Sequence, residues 1–398
     1  MTGRPGFPRG TALIFALACG LAVANVYYAQ PLLEVMADEF GFSHASVGMI
    51  ITVTQVGYGL GLLLIVPLGD LLDRRKLIAG QSALSALALA AAALAPSAAF
   101  LLVAMAMVGA LAVVTQVMVA HAAVAAHPDE RGRVVGLVTS GIVIGILLAR
   151  TVAGALSDLA GWRTVYLTSA CVTFGIALLL LRAMPRDQST PARVRYTHLI
   201  GSVFRLFAEE PALRVRAVLA MLIFAAINIL LNSLALALSA PPHSLSLTEI
   251  GLFGLAGAAG ALGAAGAGRQ ADRGRAERTT GVALGIMLLS WLPTAMLPHS
   301  LWGLVVGVVL IDFGLQAVHV SSQSLIGRQR PEAQSRLTAG YMIFYSIGCG
   351  AGAIVSTFVY ARSGWSGVCI AGAGVSLLAF VFWAATRSSM PQGAPGVR

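Results

Sequence analysis

Apolar residues occur along this chain in long runs, separated by short charged or glycine- and proline-rich breaks. A helix needs about 20 mostly apolar residues to cross a bilayer core of about 30 Å, whereas a strand of a membrane barrel needs only about 9–11. The run lengths therefore predict an all-α integral membrane protein. We count twelve transmembrane helices, with approximate bounds 11–36, 46–69, 77–95, 98–124, 132–157, 163–184, 213–240, 247–268, 277–297, 300–326, 334–361 and 365–386.

Composition agrees with a membrane protein. Of the 398 residues, 58% are hydrophobic and 11% are charged, whereas soluble domains carry about 25% charged residues. The four cysteines all lie inside apolar runs, which favours packing residues over disulfides or metal ligands. We expect neither a metal nor a cofactor.

The positive charge is distributed unevenly along the chain. We place 23 of the 26 lysines and arginines on one side of the membrane. This positive-inside bias predicts a membrane protein with both termini in the cytoplasm. The net charge of +10 does not indicate nucleic acid, because a basic patch would need a folded soluble face. The N-terminus resembles a secretory signal, but its apolar run continues through NVYYAQPLL, so we interpret it as a retained first helix.

The sequence contains an internal repeat. GDLLDRRK at 69–76 is followed by GRQADRGR at 268–275, and Trp162 and Trp365 are 203 residues apart, as are Asn25 and Asn228. Such offsets indicate a duplicated six-helix unit. Six is an even number, so the two copies are parallel. We predict an N-terminal half over 1–184, an exposed cytoplasmic linker over 185–212 and a C-terminal half over 213–398.

The doubled loop resembles the signature loop of the major facilitator superfamily, and the likeness covers nearly the whole chain. ANVYYAQPLL at 24–33 resembles a bacterial branch near the drug/proton antiporters, and this resemblance implies a protein of the bacterial cytoplasmic (inner) membrane. The chain departs from that branch, with no proline in the fifth run and no arginine in the fourth. The resemblance implies alternating access, with a conformational latch at Gly69, Asp73, Arg74, Arg75, Gly268, Asp272, Arg273 and Arg275.

The residues of the first loop suggest how such a latch works. Gly69 allows a tight turn. Asp73 is placed to pair with helix N-terminal amides or with an arginine of the other half. The alternative is a plain topology signal, but basic residues alone would satisfy topology, and the aspartate recurs in both loops.

The tenth run carries a polar face made of Asp312, Gln316, His319 and Gln323. At about 100° per residue, Gln316, His319 and Gln323 lie within about 40° of Asp312 on the helix. Ionisable groups inside a membrane are costly and indicate function. We expect Asp312 to carry a proton, assisted by His319. The alternative is a buried network that only packs helices.

Arg150, near one end of the fifth run, either is a cavity cation for an anionic group or a counter-charge for a carboxylate, or it snorkels to the surface. Paired asparagines either line the cavity or join helices. The predicted substrate cavity comprises Asn25, Tyr28, Gln55, Gln116, Arg150, Asn228, Asn232, Gln316, Tyr341 and Tyr345.

These features predict a secondary active transporter that moves a small molecule by alternating access, coupled to protons, with efflux as one direction. No Walker motif is present, so ATP is not the driver. We expect a monomer in the lipid bilayer. A non-transporting sensor and an intramembrane enzyme remain alternatives, although no sequence motif marks a nucleophilic serine.

Overall fold

The computed structural model describes residues 9–127, 130–184, 196–257, 260, 263, 266–270, 273–327 and 334–387. Regular structure in these ranges is helical. The helices are α1 (Arg9–Tyr27), α2 (Ala29–Phe40), α3 (Met49–Leu64), α4 (Arg74–Ala93), α5 (Ala98–Ala112), α6 (Val114–Ala125), α7 (Arg131–Ala160), α8 (Trp162–Ala183), α9 (Tyr196–Glu209), α10 (Pro211–Ser239), α11 (Leu247–Leu252), α12 (Ala276–Leu289), α13 (Trp291–Thr294), α14 (Leu301–Gly327) and α15 (Gln334–Thr386). Short 3₁₀ turns follow α3 (Val66–Asp70) and α11 (Phe253–Gly257).

Within the described ranges, nine helical stretches are long and apolar enough to cross a membrane. They cover ten of the twelve predicted runs, because α15 contains the last two. The ninth run is divided between α12 and α13, and the eighth is only partly described. The predicted all-helical membrane fold is confirmed.

Proline and glycine set the breaks between helices. Pro31 has no N–H to donate to the carbonyl of Tyr27, which separates α1 from α2. Gly161 connects α7 to α8 with a φ of 84°. Gly364 interrupts α15 with a φ of 60° and separates its two runs. These two glycines are 203 residues apart, as are Trp162 and Trp365, which follow them.

The chain divides into two compact units. Unit 1 comprises Met1–Gly41, Val53–Ile200 and Ser246–Gly254, and unit 2 comprises Phe42–Thr52, Gly201–Leu245 and Leu255–Arg398. Each unit therefore contains most of one sequence repeat together with a short segment of the other.

Both units pack their first and fifth predicted spans through glycine. In unit 1, a Cβ at Gly145 of α7 would overlap the carbonyl oxygen of Gly20 in α1. In unit 2, a Cβ at Gly348 of α15 would overlap the carbonyl oxygen of Met221 in α10. Gly145 and Gly348 are again 203 residues apart. The duplicated sequence thus produces a duplicated helix contact, of the small-residue kind that membrane helices use.

The predicted exposed linker contains a helix. Within 185–212, residues 196–209 form α9, and Ser202, Val203 and Leu206 are buried. Phe207 packs against Phe344, with ring centroids 5.3 Å apart. Residues 196–209 of the predicted exposed loop therefore form a helix instead, because one face of α9 is apolar and packs on protein.

Glu39, at the end of α2, is part of a polar cluster in unit 1. Its carboxylate accepts hydrogen bonds from Trp162 Nε1 (2.6 Å) and Arg163 Nε (3.1 Å). Burial alone would disfavour the charged carboxylate, but these bonds and the Arg163 charge hold the pKa of Glu39 below its usual range. Glu39 thus fixes the end of α2 on the start of α8.

Arg216 forms a buried ion pair in unit 2. Its side chain is 1% exposed, and its guanidinium donates to the Glu277 carboxylate and to Thr280 Oγ1 (3.4 Å). Glu277 Oε2 also accepts from Trp383 Nε1 (3.1 Å). Arg216 is buried because α10 begins at Pro211 and carries the arginine into its packed first turns.

Glu277→Gln should lower the free energy of unfolding by about 3 kcal/mol, because it leaves a buried guanidinium without its counter-charge. Adding Arg216→Met to that variant should restore part of the loss, because no unpaired charge then remains. Heat denaturation of the purified protein measures both, with Asp38→Asn as a control at an exposed carboxylate. A double variant less stable than Glu277→Gln would contradict this role.

Candidate functional site

The predicted polar face lies on α14, and its first part packs against a glycine. At Gly260, a Cβ would overlap Asp312 Oδ2, and it would lie 3.0 Å from Asp312 Cγ and 2.9 Å from Gln316 Cγ. Asp312 and Gln316 are both half-buried. The carboxylate and the glutamine stem therefore lie directly over the backbone of Gly260, in space that a larger residue would occupy.

The second part of the face is built around His319. Its Nδ1 lies 3.0 Å from the hydroxyl of Tyr341, and its Nε2 lies 3.0 Å from Gln323 Nε2. An amide nitrogen only donates, so Nε2 accepts this bond and the neutral ring carries its proton on Nδ1. Protonation of Nε2 would therefore require the Gln323 amide to turn over.

Aromatic rings surround this histidine. The ring of Phe224 meets His319 edge-on, with centroids 5.3 Å apart, and meets Tyr345 with centroids 4.2 Å apart. The structure thus brings together His319, Tyr341 and Tyr345, which the sequence predicted separately, and adds Phe224, which it did not.

Arg150 is held inside unit 1. Its Nε donates to Gln30 Oε1 (2.6 Å), and its guanidinium lies 5.3 Å from the ring centroid of Tyr27. A Cβ at Gly254 would lie 3.1 Å from Arg150 Cβ and 3.2 Å from its Cδ. The arginine stem therefore lies along a glycine surface while a neutral side chain fixes its head. Sequence reasoning missed Gln30, which lies one helical turn beyond Tyr27.

Asn25 and Tyr28 lie in the interior of unit 1. Asn25 is 1% exposed and accepts a hydrogen bond from Ser169 Oγ (2.5 Å), while Tyr28 packs edge-on against Tyr166. Both therefore face α8, which favours helix packing over cavity lining.

The asparagines of α10 bond to their own helix. Asn228 Nδ2 donates to the carbonyl of Phe224 (2.9 Å), and Asn232 Nδ2 donates to the carbonyl of Asn228 (2.8 Å). In unit 1, Gln116 Nε2 donates to the hydroxyl of Tyr58 (3.4 Å), and Gln55 is buried on the same helix as Tyr58. Asn228 therefore lies beside Phe224 of the His319 group, whereas Gln116 bonds to Tyr58 within unit 1.

The first signature loop caps the start of α4 and bonds to the end of α8. Asp73 is the N-cap of α4, and its Oδ1 accepts from the backbone N–H of Arg75 (2.9 Å) and Lys76 (3.4 Å). Arg75 Nε donates to the carbonyl of Leu181 near the end of α8 (3.0 Å). Arg74 Nε donates to the carbonyl of Gly69 (2.9 Å). Of the two predicted partners for Asp73, the structure shows the helix amides.

The second loop is only partly described, and Asp272 lies outside the described residues. Gly268 is helical, Arg273 is exposed, and the backbone N–H of Arg275 donates to the carbonyl of Gln270 (2.9 Å). The glycine with a left-handed conformation is Gly274, with a φ of 73°. Neither Gly69 nor Gly268 has a positive φ, and Gly69 lies in the 3₁₀ turn that follows α3.

A family model described as Major Facilitator Superfamily matches residues 15–289 and 215–397. The chain belongs to this superfamily. It is 45% identical over 382 residues to the uncharacterized transporter YgaY of Escherichia coli O157:H7, covering 96% of this chain and 97% of that one. It is 26% identical over 373 residues to the inner membrane transport protein YnfM of Escherichia coli K12, covering 92% and 87%.

A solved structure has the same fold. The chain resembles a bacterial homolog of the human lysosomal transporter Spinster with a TM-score of 0.79, at 17% identity, covering 97% of this chain and 98% of that one. The family match and the transporter relatives make the protein a multi-pass membrane transporter and not an enzyme.

The two roles of Asp73, as a helix cap and as a charge, can be separated by substitution. Asp73→Ala removes the cap of α4 and should cost about 1 kcal/mol of stability. Asp73→Asn retains a good capping side chain. If the charge also controls the conformational state, Asp73→Asn should slow transport while substrate affinity stays within a few-fold. Unfolding and transport measurements on both variants test this. If Asp73→Asn transports at the wild-type rate, the charge of Asp73 has no role in transport and the residue acts only as a helix cap.

Proposed function

We propose that this transporter carries a small molecule across the bacterial cytoplasmic membrane by alternating access, driven by the proton gradient. The observation that supports proton coupling is the Asp312 carboxylate, placed in the middle of α14 against the backbone of Gly260. We further propose that the chain acts as a monomer with both termini in the cytoplasm, as its lysine and arginine distribution indicates.

The charged and protonated forms of a carboxyl group inside a membrane helix differ in free energy. Desolvation disfavours its charged form, so a closed site favours the protonated acid. Water reaching the site from either side stabilises the anion and allows the proton to leave. If access alternates, the proton bound on one side is released on the other. Gly260 contributes because its missing side chain leaves room for the carboxylate.

His319 is a candidate relay for this proton. It lies seven residues after Asp312, or about 10 Å along the helix. Its ring is bonded on both nitrogens, to Tyr341 and to Gln323. Gain of a proton at Nε2 would break the bond to Gln323 as it stands, so proton transfer would be accompanied by a change in this network.

Arg150 is the candidate for contact with an anionic part of the substrate. Its guanidinium is oriented by Gln30 and lies over the ring of Tyr27, which gives a fixed positive charge beside an aromatic surface. We retain Gln55, Gln116, Gln316, Tyr341 and Tyr345 as further candidates. The resemblance of ANVYYAQPLL to the drug/proton antiporter branch favours export in exchange for protons.

Proteoliposomes with an imposed pH gradient test proton coupling. A panel of labelled small organic anions is screened with the wild-type protein. Asp312→Asn should still exchange the transported compound down its gradient but should fail to accumulate it, because the amide cannot carry a proton. Proton-driven accumulation by this variant would end the proposal. Failure of Asp312→Asn to fold would favour a structural acid, and absence of any flux would favour the sensor alternative.

Gly260→Ala should also impair accumulation, because the added methyl would overlap the Asp312 carboxylate. Gly266→Ala is the matched control on the same stretch, since its methyl would meet nothing within 4 Å. We expect at least tenfold weaker proton-driven accumulation for Gly260→Ala, corresponding to about 1.4 kcal/mol, with near-normal behaviour of Gly266→Ala. Equal effects of the two substitutions would show that helix propensity, rather than the carboxylate, is responsible.

A further inference from the structure

The end of α7 caps a helix that belongs to the other sequence repeat. Asp158 Oδ1 accepts from the backbone N–H of Leu247 (3.3 Å). Its Oδ2 accepts from the backbone N–H of Thr248 (2.8 Å) and from the Thr248 hydroxyl (2.5 Å). All these residues lie in unit 1, although Leu247 and Thr248 begin the eighth predicted span.

This contact completes the capping of α11. A helix leaves its first backbone N–H groups without partners in the helix itself. Ser246 and Glu249 form a capping box, in which each side chain accepts from the backbone N–H of the other. The box leaves the backbone N–H groups of Leu247 and Thr248 without an acceptor. The Asp158 carboxylate accepts a hydrogen bond from each of them. Asp158 of α7 thus supplies the hydrogen-bond acceptors that the sequence around α11 lacks.

Glycines bring the two backbones together at the same place. A Cβ at Gly154 would overlap the carbonyl oxygen of Leu247, and a Cβ at Gly251 would lie 2.5 Å from the carbonyl oxygen of Arg150. Thr151 Oγ1 donates to the carbonyl of Gly251 (3.0 Å). Residues 151, 154 and 158 follow helical spacing and share one face of α7. We call residues Ser246–Gly254 the docked segment.

Unit 2 contains a related contact without the acid. There, Thr52 Oγ1 donates to the carbonyl of Gly350 (2.8 Å), and a Cβ at Gly48 would lie 2.5 Å from the carbonyl oxygen of Ala353. Residues 42–52 thus dock on α15 through a hydroxyl and a glycine. The offset of 203 residues that relates Trp162 to Trp365 relates Asp158 to Ala361, which has no acceptor in its side chain. The carboxylate cap belongs to only one of the two contacts.

We propose that Asp158 is a positioning residue that holds the docked segment on α7, and that transport requires this contact to open and re-form. The inference rests on the proposed alternating access. Asp158 is exposed, so water can replace its bonds and the contact is reversible. The docked segment includes Gly251 and Gly254, which lie against Arg150. Its release would therefore also uncover the residue proposed to meet the substrate.

Thiol labelling reads the opening of this contact without any substrate. The four native cysteines are replaced, and Ile250→Cys introduces a reporter at a position of the docked segment that is 5% exposed. A membrane-impermeant maleimide is added to intact cells and, separately, to inverted vesicles. Asp158→Ala should raise the labelling rate about fivefold from the side opposite the termini, the effect of losing one ordinary helix cap.

Two further variants make the test specific. Thr248→Val keeps the side-chain shape and removes only the hydroxyl donor, so it should raise labelling by less than Asp158→Ala. Asp38→Ala removes an exposed carboxylate from α2 and should leave labelling unchanged. If Asp158→Ala does not fold, Thr248→Val decides the question.

The proposal is overturned if labelling in the folded Asp158 and Thr248 variants equals that of the parent. It is also overturned if Asp38→Ala raises labelling as much as Asp158→Ala, since the effect would then be one of surface charge. Loss of proton coupling leaves these labelling rates unaffected, so failure of the proposed proton-driven transport and failure of the Asp158 contact are distinguishable.

Discussion

Close approach of helix backbones at glycine is the constraint on which the rest of this structure depends. Lipid is as apolar as leucine, so helices in a bilayer gain little from burying apolar side chains and associate through close van der Waals contact. Gly145 against Gly20 and Gly348 against Met221 provide that contact in the two units. The same property leaves room for functional groups, because Gly260 accommodates a carboxylate and Gly254 an arginine stem.

Polar groups in this protein occupy a few defined positions. At helix ends, Asp73 and Asp158 accept from backbone N–H groups, and Arg75 donates to a late carbonyl of α8. Away from the surface, the buried guanidinium of Arg216 forms an ion pair with the Glu277 carboxylate. The ends are the places where a helix leaves backbone groups unpaired. A contact at a helix end can therefore be broken without repacking any side chain of the core.

Sequence reasoning found the helices because bilayer thickness fixes their length, and it found the repeat because the two copies kept their spacing. It singled out His319 and Tyr341 as separate candidates through the cost of polar groups in a membrane, and the structure brings the two side chains together. It missed the partner of Asp158 and the burial of Arg216, and it left open whether Asn25 lines a cavity or joins helices. Helical periodicity shows that one face of a helix is polar. The side chains that contact this face belong to another helix, and tertiary packing decides which helix that is.

The single-glycine connections at Gly161 and Gly364 bear on how the chain is made. In each repeat, one residue in a left-handed conformation joins two membrane-crossing helices, with tryptophan directly after it. A connection this short adds no further polar residues to the charged ones that flank it, such as Asp158, Arg163 and Arg362. The two helices can therefore enter the membrane together as a hairpin, and a polar insertion at either glycine would add to the material that the hairpin carries across.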